Sequence, residues 1–151
     1  MIPIEGILVA IDFSNESNLA AKFAVSLAQE YKTKLYVLHV FDPLPQHDYL
    51  HEEYRKRRKD QLKEELPNVI PQSVKENLDV EEIVEEGYPV HHTIVEKAKE
   101  LGVDVIVIAT HGRTGLAHVL VGSVAEHVIR YAPCPVLVVR NPKDRFLYEW
   151  E

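Results

Sequence analysis

Apolar residues along this chain follow two patterns, short continuous runs and longer stretches with a spacing of three or four residues. Residues 6–11 form a continuous run that ends at Asp12, which is typical of a strand buried on both faces of a parallel sheet. Residues 35–41, 103–108 and 136–139 predict three more buried strands, and residues 80–86 fit a strand better than a helix. The chain therefore predicts five strands.

Helical spacing fills the segments between these runs. Residues 15–31 follow Ser14, which is a good helix cap, and residues 48–66 are charge-dense with a thin apolar stripe. A third long helix begins near Pro89 and stops at Gly102, and another follows Gly122. Strands and helices in alternation predict an α/β fold, a single-domain doubly wound five-stranded parallel sheet with helices on both faces. Between Pro67 and Pro71 we expect a loop.

Length and composition fit one folded domain. The chain has 151 residues, of which 46% are hydrophobic and 27% charged, and this excludes a disordered chain. We expect the domain to cover residues 1–141 and a tail to cover residues 142–151. Several aromatic and apolar side chains, Trp150 among them, make the tail too apolar for a solvated end. Docking on its own domain and docking on a neighbour both remain open for the tail.

Charge narrows the range of partners. The net charge of −7 repels a phosphate backbone, so we expect no nucleic acid and no anionic membrane as partner. The basic run at residues 55–59 is flanked by acidic residues at helical spacing, and we interpret it as a solvated helix face. A single cysteine, Cys134, cannot form an internal disulfide, and no apolar run is long enough to span a membrane. We therefore expect a cytoplasmic protein.

A glycine-spaced segment follows the fourth predicted strand. It begins Ala109-Thr110-His111-Gly112-Arg113-Thr114-Gly115, and Gly122-Ser123 follows at the start of the next helix. Glycines let the backbone approach a ligand closely, and free N–H groups at a helix start favour phosphate oxygens. The spacing matches neither the P-loop nor the dinucleotide G-x-G-x-x-G motif. The alternative is that these glycines serve only turns and a helix cap.

Longer motifs carry a resemblance to a known family. The segments I-L-V-A-I-D-F-S, E-G-Y-P, D-V-I-V-I-A-T-H-G-R-T-G and V-G-S-V-A-E-H-V-I-R-Y-A-P-C-P-V-L-V-V occur in this order. Over residues 7–140 the chain resembles the universal stress protein family, and in particular its ATP-binding branch. The resemblance implies strand order 3-2-1-4-5 and a bound ATP, or else ADP or AMP, together with Mg²⁺. One departure is Ala109, which stands where the branch has the first glycine of its G-x-x-G motif.

The resemblance also implies which residues bind the nucleotide. Ala10 and Asp12 would lie beside the ribose and adenine, Val40 would meet adenine through backbone groups, and Ala109 would border the nucleoside. The phosphate end would be bound by the segment that Thr110, His111, Gly112 and Arg113 begin and that Gly122, Ser123 and Val124 complete. Family dimers often pair their fifth strands, so the resemblance implies a homodimer through residues 136–139.

Three functions remain open from the sequence. The first is a dimeric, nucleotide-responsive regulatory or stress-resistance module, the second is a slow ATPase in the same crevice, and the third is a dimeric scaffold that binds no nucleotide. We expect no catalytic residue and no metal ligand, since Asp12 is better explained as a ribose or turn partner and His111 as a spacer. Adjacent His91 and His92 point about 100 degrees apart on a helix and cannot readily share one ion. A small buried hydrophobe is the preferred interpretation of Cys134, over a redox sensor.

Overall fold

The structure, a computed structural model, describes residues 1–43, 49–111, 121–140 and 150. The strands in these ranges form one sheet and are β1 (Gly6–Ala10), β2 (Lys34–Phe41), β3 (Val80–Glu86), β4 (Val105–Ala109) and β5 (Val136–Val139). All five lie where the sequence predicts them, and the largest difference is at β4. That strand begins at Val105 rather than at residue 103, because the N–H of Val103 still bonds to the carbonyl of Ala98 at 3.3 Å.

All strand pairings are parallel, and the strand order is β3-β2-β1-β4-β5. The fold class and the strand order are thus confirmed. In the central strand β1, Val9 lies opposite Val37 of β2 on one side and opposite Val107 of β4 on the other. The chain leaves β1 toward β2 and leaves β4 toward β5, so the order reverses between β1 and β4. The carboxyl ends of these two strands therefore mark the place where ligands bind in such sheets.

Helices connect the strands in the predicted alternation. They are α1 (Asn15–Tyr31), α2 (Tyr49–Glu65), α3 (Gln72–Lys75), α4 (Val90–Leu101) and α5 (Ser123–Tyr131). The prediction of a plain loop around residues 67–71 was wrong, since this segment holds a 3₁₀ turn at Leu66–Asn68 and leads directly into α3. Elements of three and four residues are too short to show a repeating apolar face, which explains why periodicity missed them.

Two cores, one on each face of the sheet, explain why the strands read as continuous apolar runs. Under α1 and α2 lies the first core, which contains the buried residues Ile7, Val9, Leu35, Val37, Ala24 and Leu62. Under α4 and α5 lies the second core, which contains the buried residues Leu8, Leu38, Ile106, Ile94, Ala98 and Val128. Successive strand residues point to opposite faces, and both faces are covered. The predicted helices on both faces are confirmed.

The basic run of α2 lies on an exposed face, and two of its members form ion pairs. Arg57 lies 3.5 Å from Glu53 one turn earlier, and Arg55 pairs with Glu86 of β3. Exposed pairs of this kind contribute little to stability, about 0 to 1 kcal/mol each. They do agree with the interpretation of α2 as a solvated helix.

The tail contributes one described residue to the packing. Trp150 packs against the first core, and the Lys22 ammonium lies 5.5 Å from the centre of its ring. At this residue the tail therefore contacts its own domain, one of the two alternatives that the sequence left open. No helix within the described ranges is long and apolar enough to cross a bilayer.

Candidate functional site

Side chains of the turn after β1 hold that turn in place. The Asp12 carboxylate accepts a hydrogen bond from the N–H of Ser14 at 3.0 Å and another from the Ser14 hydroxyl. Ser14 Oγ in turn accepts a hydrogen bond from the N–H of Ser17 at 3.1 Å and so caps α1. Phe13 between them has φ of 65°, a left-handed conformation that costs a non-glycine residue roughly 1–2 kcal/mol. The turn bonds offset this cost and fix Asp12 at the sheet edge.

A buried histidine supports the same turn from β2. The Nδ1–H of His39 donates to the carbonyl oxygen of Ile11 at 2.6 Å, which assigns the proton to this nitrogen because a carbonyl only accepts. Its ring also lies 4.7 Å from the ring of Phe13, measured between centroids. His39 thus ties the end of β1 to the end of β2. This role was not predicted from the sequence, where its signal is a single histidine within a largely apolar strand.

On the other side of the switch point, Thr110 joins the end of β4 to the start of α5. Its N–H donates to the carbonyl of Val139 at 2.9 Å, and its own carbonyl accepts from the N–H of Gly122 at 2.6 Å. A Cβ placed on Gly122 would lie 3.0 Å from that carbonyl oxygen and 3.7 Å from the Cα of His111. A side chain at this position would therefore be in tight contact with the backbone of Thr110, which favours glycine here.

The first turn of α5 presents backbone amides that no described side chain caps. Gly122 is the N-cap residue, with extended backbone angles of −68° and 160°, and has no side chain to cap the helix. The first N–H groups of any helix lack partners within the helix, and its dipole places partial positive charge at the same point. The start of α5 is therefore suited to bind a negatively charged group.

A cleft of about 190 Å³ lies over these two turns, between the ends of β1, β2 and β4 and the helices α4 and α5. Nine of the residues predicted for the nucleotide line it, namely Ala10, Asp12, Val40, Ala109, Thr110, His111, Gly122, Ser123 and Val124. The remaining two, Gly112 and Arg113, lie outside the described residues. The structure thus brings the predicted residues together, while their contact with a ligand stays a prediction.

Several residues of the cleft were absent from the sequence-based set. Val90 and Ile94 of α4 form one wall, and Leu38 and Ile108 add apolar surface from the strands. Ser17 of α1 lines the cleft as well and is only 3% exposed. The helical spacing of Val90 and Ile94 predicted their burial, but it could not show that the covered surface includes a cleft. The combination of apolar walls with amide donors at one end suits a ligand that has a flat apolar part and an anionic part.

Cys134 lies away from this cleft, before β5. It is half-buried and packs against the second core. Burial, together with the negative charge of Asp104, raises the pKa of its thiol. A raised pKa keeps the thiol protonated, which favours the interpretation as a small hydrophobe over that as a reactive thiolate.

The fold and the cleft place this protein in a class. It is a doubly wound α/β protein in which the start of a helix, preceded by glycine, faces a cleft at the switch point. The chain belongs to the universal stress protein family, since residues 3–140 match the model of that family. It is 38% identical over 141 residues to the universal stress protein MJ0531 of Methanocaldococcus jannaschii, covering 91% of this chain and 82% of that protein. The predicted family is thereby confirmed.

Solved structures agree on the fold. The universal stress protein UspA from Lactobacillus plantarum superposes with a TM-score of 0.75 at 28% identity, covering 93% of this chain and all of that one. A universal stress protein from Archaeoglobus fulgidus, solved in complex with dAMP, superposes with a TM-score of 0.61 at 22% identity, covering 91% of this chain and 99% of that one.

Proposed function

We propose that the cleft binds an adenine nucleotide, with ATP and Mg²⁺ as the preferred form and ADP or AMP as alternatives. The observation that carries this proposal is the start of α5, where backbone amides face the cleft and Gly122 lies against the carbonyl of Thr110. Phosphate oxygens would accept hydrogen bonds from these amides and from the Ser123 hydroxyl. Mg²⁺ would accompany the phosphates, which supply oxygen ligands for it.

The other end of the cleft suits a nucleoside. Ala10, Val40 and Ile108 offer apolar surface at the strand ends, and the Asp12 carboxylate is fixed beside them by its bonds to Ser14. A carboxylate at this place can accept hydrogen bonds from ribose hydroxyls. The A. fulgidus relative solved with dAMP shows that a protein of this fold holds an adenine nucleotide.

The alanine at position 109 does not weigh against this proposal. Ala109 is 7% exposed and belongs to the first core, on the α1 face of the sheet. Ala10 belongs to the second core, on the face where α4 and α5 flank the cleft. The extra methyl group is therefore absorbed by packing under α1, and only a small part of Ala109 borders the cleft.

Dimerisation through β5 is the second part of the proposal. β5 forms one edge of the described sheet with the sequence Val-Leu-Val-Val, and Leu137 on it is 38% exposed. Ile129 of the neighbouring α5 is 47% exposed. An apolar edge strand invites pairing, and a second copy of this chain would cover it across a two-fold axis. Replacing Leu137 with Glu should shift the protein to monomer in sedimentation experiments, while Glu81→Ala on the opposite edge should not.

We further propose that nucleotide occupancy orders the segment between Ala109 and Gly122 and so changes a surface that other cytoplasmic proteins recognise. This makes the chain a regulatory or stress-resistance module rather than an enzyme. Purified protein should carry adenine nucleotide detectable by mass spectrometry, and calorimetry with MgATP should give micromolar affinity, which corresponds to about 8 kcal/mol. Absence of binding up to millimolar MgATP would support the scaffold alternative.

The ATPase alternative has its own test. Under the present proposal, phosphate release from MgATP stays at background, because Asp12 is committed to the turn before α1 and serves as a ribose partner. Release above background that disappears in Asp12→Ala would establish the slow ATPase instead. Release that persists in this variant would show that Asp12 is not the catalytic group of such an activity.

A further inference from the structure

Two histidines form a stacked pair between α4 and α5. The ring centroids of His91 and His127 are 4.1 Å apart, and their planes differ by 16°. The Nδ1–H of His127 donates to the carbonyl oxygen of Ser123 at 2.6 Å, so this ring covers the first turn of α5. On α4, His91 follows Val90, which lines the cleft. The pair therefore bridges α4 and α5 beside Val90 and Ser123, two residues that line the cleft.

Charges around the pair determine how it takes up protons. Burial is the main cause that lowers the pKa of His91, and positive charge on His127 and on His92 lowers it further. Tyr131 is the next ring along α5, 6.5 Å from His127 between centroids. Elsewhere on the two helices Glu126 pairs with Arg130 and Glu96 pairs with Lys99, and β5 carries only apolar side chains. Positive charge on His127 therefore disfavours a proton on His91.

We propose that the His91–His127 pair makes nucleotide affinity depend on pH, a single proton on the pair strengthening the binding of phosphate groups at the start of α5. This inference rests on the proposed nucleotide site and adds two residues to it. A positive charge on His127 would lie about one helical turn, roughly 5.4 Å, from the first amides of α5. That separation is shorter than the screening length of about 8 Å at physiological ionic strength. The added charge therefore acts together with the helix dipole.

Reciprocity gives a second consequence. If a proton on the pair favours phosphate binding, then a bound nucleotide must raise the proton affinity of the pair by the same factor. The Nδ1–H bond to Ser123 keeps the ring of His127 over the first helical turn in either protonation state, because only the other ring nitrogen gains the proton. The effect thus needs no change of backbone.

Titration calorimetry with MgATP at pH 6.0 and pH 8.0 tests the proposal in the full-length protein. The compared chains are wild type, His127→Asn, whose amide can still donate to the Ser123 carbonyl but does not titrate, and the exposed control His92→Asn. ATP itself changes charge over this range, but equally for all three proteins. The ratio of the two affinities should be about two- to fivefold larger for wild type and His92→Asn than for His127→Asn, the range expected for one charge at a helix end.

Proton NMR of the histidine rings gives an independent measurement. Adding MgATP should shift the titration midpoint of the His91 and His127 signals to higher pH and leave that of His92 nearly unchanged. Equal pH dependence of binding in wild type and His127→Asn would overturn the proposed role of the pair and leave the nucleotide site standing. If wild type binds no MgATP at either pH, both the pair's role and the nucleotide site are wrong.

Discussion

Helices α1 and α5 both begin near the carboxyl ends of the strands, and their first turns are capped differently. α1 follows β1 and is capped by side chains of the turn before it. Ser14 Oγ accepts a hydrogen bond from the N–H of Ser17, and the Asp12 carboxylate accepts one from the N–H of Ser14. α5 lies after β4, and its N-cap residue Gly122 has no side chain, so the first amides lack a cap from any described residue. Both helices carry the same partial positive charge at this edge.

The difference shows how one fold assigns separate tasks to similar positions. At α1 the polar groups satisfy one another, so the turn is rigid and its carboxylate is set in a fixed place. At α5 the polar groups remain available, and the close approach of Gly122 to Thr110 brings them to the floor of the cleft. The first helix start is thus built for stability, and we propose that the second is built for binding. Changes at the two sites should therefore separate stability from affinity.

The largest effect is expected from Gly122→Val. A Cβ at this position already lies 3.0 Å from the carbonyl oxygen of Thr110, and two further methyl groups would enter the cleft or push the start of α5 away. We expect MgATP affinity to fall at least about 100-fold, which corresponds to about 2.7 kcal/mol. Gly122→Ala should give an intermediate loss. Titration calorimetry measures both.

Gly6→Ala is the matched control, at the amino-terminal end of the central strand β1. Its added Cβ would lie 3.5 Å from the nearest side-chain atom of Val103, an ordinary contact distance. Fold and affinity should both survive this change, and circular dichroism should show that Gly122→Val is folded as well. Nucleotide affinity retained in a folded Gly122→Val protein contradicts the assignment of α5 as the phosphate end.

These same elements show how much of the fold could be predicted from the sequence. Continuous apolar runs and helical spacing predicted the long helices and all five strands, because burial on both faces of a parallel sheet leaves an unambiguous pattern. The strand order came from the family resemblance and not from periodicity, since apolar patterns do not encode which strands are neighbours.

The site was predicted only in part, for a physical reason. Sequence motifs mark residues where the backbone approaches another group closely, such as Gly122. The family resemblance extended the predicted site to Asp12 and Val40. The supporting residues His39 and His127 act through contacts with distant parts of the chain or with a backbone carbonyl, and these contacts exist only after folding. A sequence shows such residues as isolated histidines, and their roles become visible from distances.

Ser123→Ala should have the next largest effect, again on affinity alone. The Ser123 side chain is exposed at the cleft, so its removal leaves no buried cavity. Loss of one hydrogen bond to a charged phosphate should weaken MgATP binding about tenfold, and Ser123→Thr should restore it because the hydroxyl remains. If the alanine variant binds as tightly as wild type, then the backbone amides of α5 carry phosphate binding without the hydroxyl.

Ser14→Ala should reverse the pattern, lowering stability and changing affinity little. Removal of the cap leaves the N–H of Ser17 without the acceptor it has at 3.1 Å. The free energy of unfolding should drop by about 1 kcal/mol, as measured by urea unfolding, and the melting temperature by about 2–4 °C. Ser14→Thr keeps a hydroxyl and should recover most of the loss. A large loss of MgATP affinity in a folded Ser14→Ala protein would mean that the two helix starts do not have separate tasks.

The smallest expected effect is a loss of stability at acid pH, and it distinguishes the two helix starts by the side chains that support them. The α5 start is bonded to His127, which stacks on His91, whereas the α1 start is supported mainly by hydroxyl and carboxylate groups. Because burial lowers the pKa of His91 in the folded chain, its contribution to stability is complete above the unfolded value of about 6.5 and is lost as the pH falls through that value. Without nucleotide, wild type should therefore lose more stability between pH 7.5 and pH 5.5 than His91→Phe, which keeps a stacking ring that does not titrate. The difference should be smaller than the loss in Ser14→Ala because the pair remains partly exposed, and urea unfolding of both proteins at the two pH values measures it. Equal losses would show that His91 takes up its proton at no cost to the folded state.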